Sequence, residues 1–132
     1  MLDKASDPTP RSLRGARLSK HADYQRVYKQ SRKHFSASMT YFFRLREAGF
    51  HTGPRIGLTA GRVLGKAVER NRIKRRMREA VRASLGHLRC NVDVVLHPRR
   101  SVLEIEFSRL REEVAAIFTR IEAAARSKQR GE

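Results

Sequence analysis

The sequence predicts an α+β fold in which helices pack on a small sheet, forming a two-layer α/β sandwich. Apolar residues recur at helical spacing in three segments, and three shorter segments are rich in strand formers. These elements follow the order helix, strands, helix, strand, helix. At 132 residues the chain is long enough for one hydrophobic core and too short for two.

The first helix is predicted to begin at Ser19, a suitable N-cap, and to run to about Ser31. The next two segments, 38–47 and 54–60, alternate in the way strands do. Within the first of them, one face is predicted to carry Met39, Tyr41, Phe43 and Leu45.

A longer helix is predicted over roughly 66–85, with Gly65 before it and Gly86 placed to end it. Its apolar side chains repeat every fourth residue: Ile73, Met77, Val81 and Leu85. The segment 91–98 then resembles a buried strand that stops at Pro98. The helix therefore has one side to bury against the sheet.

The last helix is predicted to start from a capping box formed by Ser101 and Glu104. Its apolar stripe comprises Leu103, Phe107, Leu110, Val114, Ile117, Ile121 and Ala124. Such a stripe suits either packing on a globular core or a coiled-coil seam. Packing is favoured because clear flanking charge pairs are absent.

The chain is strongly basic, with 30 Lys and Arg against 13 Asp and Glu and a formal charge of +17. Residues 62–82 hold nine basic and two acidic side chains, net +7, and residues 1–35 hold nine and three, net +6. Residues 99–132 are nearly balanced, with eight and six. Such an excess repels itself, so it predicts a polyanionic partner; a role in solubility is the alternative.

Like charges are stacked along the helix over 66–85. Arg70, Lys74 and Arg78 follow one line at i, i+4 spacing, and Arg72 and Arg76 follow another. A solvated helix face alternates acidic and basic residues instead. The stacking therefore predicts an anion that neutralises it, and the phosphates of RNA or DNA are the natural candidate.

One residue of this region has two interpretations, and one alternative function of the helix is excluded. Asn71 is either a polar residue near the helix start or a donor of a directional amide bond to RNA. A leucine-zipper arm is excluded, because Gly86, the strand over 91–98 and Pro98 interrupt the helix that such an arm requires.

Four aromatic residues form a second candidate set: Tyr24, Tyr28, Tyr41 and Phe43. Nucleotide bases stack on exposed aromatic rings, and surrounding cations follow the backbone of a single strand. Core packing is the alternative, and it is the usual role of a Phe. Tyrosines keep one polar end, so partial exposure suits them better.

The sequence offers no self-contained active site. Seven carboxylates precede residue 99, and no two lie closer than four positions, whereas two-metal phosphodiester cleavage needs clustered carboxylates. The five histidines lack zinc-ligand spacing, so no metal site is predicted. The single cysteine, Cys90, suits a reducing cytosol. The sequence contains no run of 18 apolar residues, so no membrane span is predicted.

The segment PRIGLTAGRVLGKAVERNRIKRRMREAVR, residues 54–82, resembles the signature of the bacterial ribonuclease P protein subunit. That signature joins a Pro-Arg-Ile/Val-Gly-Leu strand, a Gly-Asn-Ala-Val loop and an Arg-Asn-Arg helix. A DYQRVY segment precedes it, as the family's aromatic first helix does. The resemblance spans about residues 14–125.

The resemblance implies a fold like that of the second domain of ribosomal protein S5, with the basic helix in a left-handed crossover between parallel strands. Most such crossovers are right-handed. It also implies a cytoplasmic protein that binds a large catalytic RNA and the 5′ leader of precursor tRNA. In that ribonucleoprotein, Mg²⁺ held mainly by the RNA carries out hydrolysis. No further protein partner is required, and the protein alone is not catalytic.

Residue by residue, the resemblance implies an RNA-binding set of Arg62, Lys66, Arg70, Asn71, Arg72, Lys74, Arg75, Arg76 and Arg78. It implies a leader-binding cleft lined by Tyr24, Tyr28, Tyr41 and Phe43. Lys66 departs from the family, which usually has Asn there, so a phosphate contact would replace an amide contact.

The predicted organisation is a flexible basic tail over 1–15, one RNA-binding domain over 16–126, and a C-terminal tail over 127–132. Two other functions remain as alternatives. One is a structural, ribosome-associated RNA-binding protein with no role in cleavage, and the other is a protein enzyme that acts on nucleic acid by itself.

Overall fold

The structure, a computed structural model, describes residues 16–47 and 52–129. Its elements in chain order are α1 (His21–Gln30), β1 (His34–Phe35), β2 (Met39–Leu45), β3 (Arg55–Leu58), α2 (Ala67–Ser84), β4 (Val92–Pro98) and α3 (Phe107–Gln129). Short 3₁₀ turns occupy Arg62–Leu64, Leu85–His87 and Arg100–Leu103. The predicted α+β class with one small mixed sheet is confirmed.

The sheet has the strand order β1-β2-β4-β3. β2 pairs antiparallel with β4, whereas β3 pairs parallel with β4, so α2 is the crossover between parallel neighbours. The hand of this crossover stays a prediction. β1 was not predicted, because two residues are too few to show the alternation that marks a strand.

Most apolar side chains pack on one face of the sheet, beneath α2 and α3. The apolar core residues are Ile73, Met77, Ala80 and Val81 on α2, and Leu110, Val114, Ile117, Phe118 and Ile121 on α3. The stripe of α3 is therefore inside the core, as the packing interpretation predicts. The last predicted residue of the stripe differs by one position: Ala125 is buried, whereas the predicted Ala124 is half-buried.

The opposite face of the sheet is covered by α1 and by the segment that precedes it. Leu18, Val27 and Val95 form a small buried cluster there, and Tyr24, Tyr28 and Phe42 pack against it. The backbone N–H of Leu18 donates to the Ile56 carbonyl at 2.9 Å, so this segment extends the sheet beyond β3.

Two predicted helix caps differ from the structure. Lys20 rather than Ser19 is the N-cap of α1, and its carbonyl accepts the N–H groups of Asp23 and Tyr24. Ser101 and Glu104 do not cap α3, because a 3₁₀ turn intervenes and the carbonyl of Glu106 accepts the first helical bonds.

The tails were also predicted from the sequence. The predicted tail over 1–15 lies outside the described residues. At the other end α3 continues to Gln129, three residues past the predicted boundary, and residues 130–132 lie outside the described residues.

The start of α2 is fixed by a carboxylate that bonds to three groups. Glu69 accepts the backbone N–H of Lys66 at 3.0 Å, and it pairs with both terminal guanidinium nitrogens of Arg100, at 2.7 and 3.0 Å. Arg100 also donates to the Leu64 carbonyl at 2.7 Å. Between them lies Gly65, whose φ of 125° is in the region that favours glycine. We call Leu64, Gly65, Glu69 and Arg100 the helix-start clamp.

Gly65→Ala should lower the free energy of unfolding by about 1–3 kcal/mol. An alanine at this position would have to adopt a φ that is strained for any residue with a side chain. Its Cβ would also overlap Glu69 Oε1 and Arg100 Nη1. Urea denaturation measures the change. Gly61→Ala is the matched control, because no atom lies within 4 Å of its Cβ position and its φ is −80°. Equal effects of the two substitutions would contradict this account.

The helix-start clamp should weaken in acid. Hydrogen bonds from Arg100 and from the Lys66 backbone lower the pKa of Glu69 from 4.5 to about 2. Since the unfolded chain binds this proton more readily, the stabilisation is present above pH 4.5 and is lost as the pH falls toward 2. The free energy of unfolding of wild type should therefore exceed that of Glu69→Gln at pH 6, and the gap should close toward pH 2. A gap that does not depend on pH would disprove this role of Glu69.

Candidate nucleic-acid interface

The burial of one side of α2 directs its basic side chains away from the core. Of the nine predicted RNA-binding residues, the exposed ones are Arg62, Lys66, Asn71, Arg72, Arg75 and Arg78, and the half-buried ones are Arg70, Lys74 and Arg76. The structure therefore brings the whole predicted set together on and just before one helix. We call these nine residues the α2 cationic face.

The charges of this face are not neutralised within the described ranges 16–47 and 52–129. There, no carboxylate forms an ion pair with any of the eight cations of the face. The neighbouring Arg82, by contrast, pairs with Glu79 at 2.6 Å. Several like charges on one helix without counterions make a site for an extended anion.

Two members of the face differ from the rest. The guanidinium of Arg76 donates to the carbonyl of Ile105, so this residue also ties α2 to the segment before α3. Asn71 is exposed, and its side chain has no hydrogen bond to another described residue. Its amide is therefore available to a ligand.

The four predicted cleft aromatics do not converge, so their grouping was wrong. Tyr24 and Tyr28 lie on the α1 side of the sheet. Tyr41 is buried in the main core, and Phe43 packs against that core. The ring of His34 stacks on those of Tyr41 and Phe43, at centroid distances of 5.0 and 5.1 Å. The reason is that successive side chains of a strand point to opposite faces. The odd positions of β2 face the core.

The aromatic residue that β2 contributes to the α1 side is Phe42. Its ring lies 5.0 Å from that of Tyr28 and 5.2 Å from that of His97, and the Tyr28–His97 centroid distance is 5.7 Å. The hydroxyl of Tyr28 and Nε2 of His97 are 2.9 Å apart and share a hydrogen bond. We call these three half-buried rings the α1 aromatic face. Sequence reasoning missed Phe42 and His97, although the alternation of β2 and β4 contains the signal.

The α1 aromatic face is uncharged at neutral pH. Burial, and then the charge of Lys33, lower the pKa of His97 below its usual 6.5, so the ring is neutral at pH 7. Burial likewise raises the pKa of Tyr28, which keeps its hydroxyl protonated. Such a surface suits stacking against an uncharged ring.

Tyr24 is held by the protein itself. Its hydroxyl donates toward the carbonyls of Leu18, at 3.2 Å, and Leu58, at 3.4 Å. Its ring covers Gly57, where an added Cβ would lie 2.6 Å from the hydroxyl. Burial raises the pKa of this phenol. Tyr24 therefore positions α1 on the sheet, and only part of its ring is exposed.

At the other end of the same sheet face, arginines are neutralised internally. Asp93 is fully buried, and Arg55 binds both of its oxygens, at 2.9 and 3.0 Å. Arg44 and Arg46 each approach it at 3.4 Å. A buried carboxylate must be paired, so a lone Asp within an apolar strand was the available signal for this network.

Among the described residues, no three His, Cys, Asp or Glu side chains come together as metal ligands would. No helix in the described part of the chain combines the length and apolar character that a membrane span requires. Burial, with the nearby Glu122, raises the pKa of Cys90 to about 12, so this thiol is a weak nucleophile.

Comparison with known proteins identifies the family. The profile of the family described as ribonuclease P matches residues 13–122. The ribonuclease P protein component of Symbiobacterium thermophilum is 39% identical over 104 residues, which cover 79% of this chain and 89% of that protein. The ribonuclease P protein of Thermotoga maritima superposes with a TM-score of 0.68 at 26% identity, covering 79% of this chain and 96% of that one. This chain belongs to the ribonuclease P protein family.

Proposed function

We propose that this subunit of ribonuclease P binds the catalytic RNA through the α2 cationic face and the 5′ leader of precursor tRNA through the α1 aromatic face. Ribonuclease P is an RNA-based endoribonuclease, and the protein is its non-catalytic component. In this proposal the RNA holds the Mg²⁺ ions that hydrolyse the phosphodiester, and the protein promotes 5′ maturation of tRNA.

The observation that carries the proposal is the set of eight cations, six on α2 and two just before it, that have no acidic partner among the described residues, while the other side of the helix is buried. Free cations on a fixed helix neutralise phosphates without first breaking internal ion pairs. Each neutralised phosphate releases condensed counterions, which is the main source of affinity for a nucleic acid. The arginines around Asp93 cannot contribute in this way until a buried pair is broken.

The α1 aromatic face supports the second half of the proposal. Single-stranded RNA is held by stacking of unpaired bases on aromatic side chains, and any base offers a flat surface. Tyr28 and Phe42 lie at 78° to each other, so together they line a corner rather than a flat patch. A leader base that stacks on one ring can touch the edge of the other.

The protein should accelerate precursor tRNA cleavage by its catalytic RNA when Mg²⁺ is low. Neutralisation of phosphates by α2 replaces part of the ionic screening that divalent ions supply at high concentration. Cleavage at physiological Mg²⁺ is measured with RNA alone and with RNA plus protein, and the difference should shrink as Mg²⁺ is raised. No acceleration at low Mg²⁺ would refute the assignment to ribonuclease P.

Tyr28→Ala and Phe42→Ala should reduce the preference of the holoenzyme for precursor tRNA over mature tRNA. Loss of one stacked base should cost about 1–3 kcal/mol of that preference. The affinities for precursor tRNA and for mature tRNA are measured for each variant. Their ratio does not depend on the fraction of holoenzyme that is active in a given preparation.

Phe43→Ala is the matched control for this measurement. It removes the same type of ring from the adjacent position of β2, but on the face that packs against the core. An equal loss of preference for Phe43→Ala would favour the original set of four cleft residues over the α1 aromatic face.

A further inference from the structure

A groove of about 380 Å³ runs between the C-terminal half of α2 and the segment before α1. Its rim carries four cations: Lys74, Arg78 and Arg82 from α2 and Arg17 from the facing segment. The α2 cations are spaced at i, i+4 and i+8, so they lie in one row along the helix. The groove is separate from the α1 aromatic face, since neither Tyr28 nor Phe42 lines it.

The floor of the groove is apolar: the half-buried Leu58 and Tyr24 present its accessible surface, and the buried Leu18, Ile56 and Val81 complete its lining. Residues 17 and 18 are fixed in place because they continue the sheet: Arg17 bridges to Ile56, and the Leu18 N–H donates to the Ile56 carbonyl. The two walls are thus rigid elements of the fold. Such a cavity falls within the range of about 300–1,000 Å³ typical of ligand sites.

The charges on the rim are mostly free. Among residues 16–47 and 52–129, Arg17, Lys74 and Arg78 have no carboxylate at ion-pair distance. Arg82 pairs with Glu79, yet its Nε is buried and has no hydrogen-bond acceptor among the described residues. Because that Nε is not accessible from the groove, a phosphate there would meet Arg82 through a terminal nitrogen.

We propose that this groove binds one nucleotide unit, with its phosphate on the four cations and its base on the apolar floor. An inorganic anion alone would leave the floor in contact with water, and an apolar ligand alone would leave the cations unpaired. A nucleoside monophosphate, either free or as an unstacked residue of an RNA chain, satisfies both. The proposal rests on the assigned RNA-binding role, but it adds Arg17 and Arg82 to the residues of that role.

The groove is tested on the free, full-length protein by titration with AMP, ribose 5-phosphate and inorganic phosphate, followed by NMR. AMP should bind at least about fivefold more tightly than ribose 5-phosphate, because only AMP places a base on the floor. The resonances that shift should be those of residues 17–19 and 74–82. Equal affinity of AMP and ribose 5-phosphate would overturn the proposal, while leaving the low-Mg²⁺ acceleration of cleavage unaffected.

Arg17→Ala separates the groove from general charge attraction. It should weaken AMP binding several-fold, whereas Arg120→Ala, which removes an exposed charge of α3 that does not line the groove, should leave AMP binding unchanged. Equal losses would show that AMP responds only to net charge. That result would contradict a built site.

The source of the nucleotide is identified in the reconstituted holoenzyme. A photoreactive aryl azide is attached at Ser19→Cys, on the rim of the groove, in a Cys90→Ala background. Crosslinks to the catalytic RNA or to precursor tRNA would each assign the nucleotide to that RNA. AMP binding without an RNA crosslink would assign the groove to free nucleotides.

Discussion

Burial of the apolar side of α2 is the constraint on which the rest of the structure depends. Ile73, Met77 and Val81 are fully buried, and each contributes about 1.5–3 kcal/mol. Like-charge contacts at i, i+4 spacing cost only about 0.2–0.5 kcal/mol each. Burial therefore outweighs the repulsion, so the helix can keep its cations unpaired. The helix-start clamp fixes where that row of charges begins.

The protein uses arginine in two ways that the structure separates. Around Asp93, arginines hold a buried carboxylate and join β2, β3 and β4. On the α2 cationic face, arginines lack described acidic partners and are available to an RNA. Removing a partner from a buried pair leaves an uncompensated charge, which is why the first group is structural. The same side chain thus stabilises the fold in one place and serves binding in another.

The sequence predicted α2 well because burial and charge there follow one period of 3.6 residues. The strands β2, β3 and β4 were also located, since their alternation or apolar character is strong. The cleft was misassigned because either face of β2 offers an aromatic residue: Tyr41 and Phe43 on one side, Phe42 on the other. Only the positions of α1 and β4 decide which face is open. The helix-start clamp was missed, since Arg100 lies 31 residues from Glu69 and that pairing depends on tertiary structure.

The claim that the α2 cationic face meets phosphates is tested most directly by the salt dependence of catalytic RNA binding. The slope of log K against log salt is measured for wild type, for Arg70→Ala/Arg72→Ala, and for Arg109→Ala/Arg120→Ala on the exposed side of α3. The α2 double variant should bind more weakly, with a slope smaller by roughly one unit for each phosphate that it no longer neutralises, and the α3 variant should match wild type. Identical slopes for all three proteins would contradict the claim.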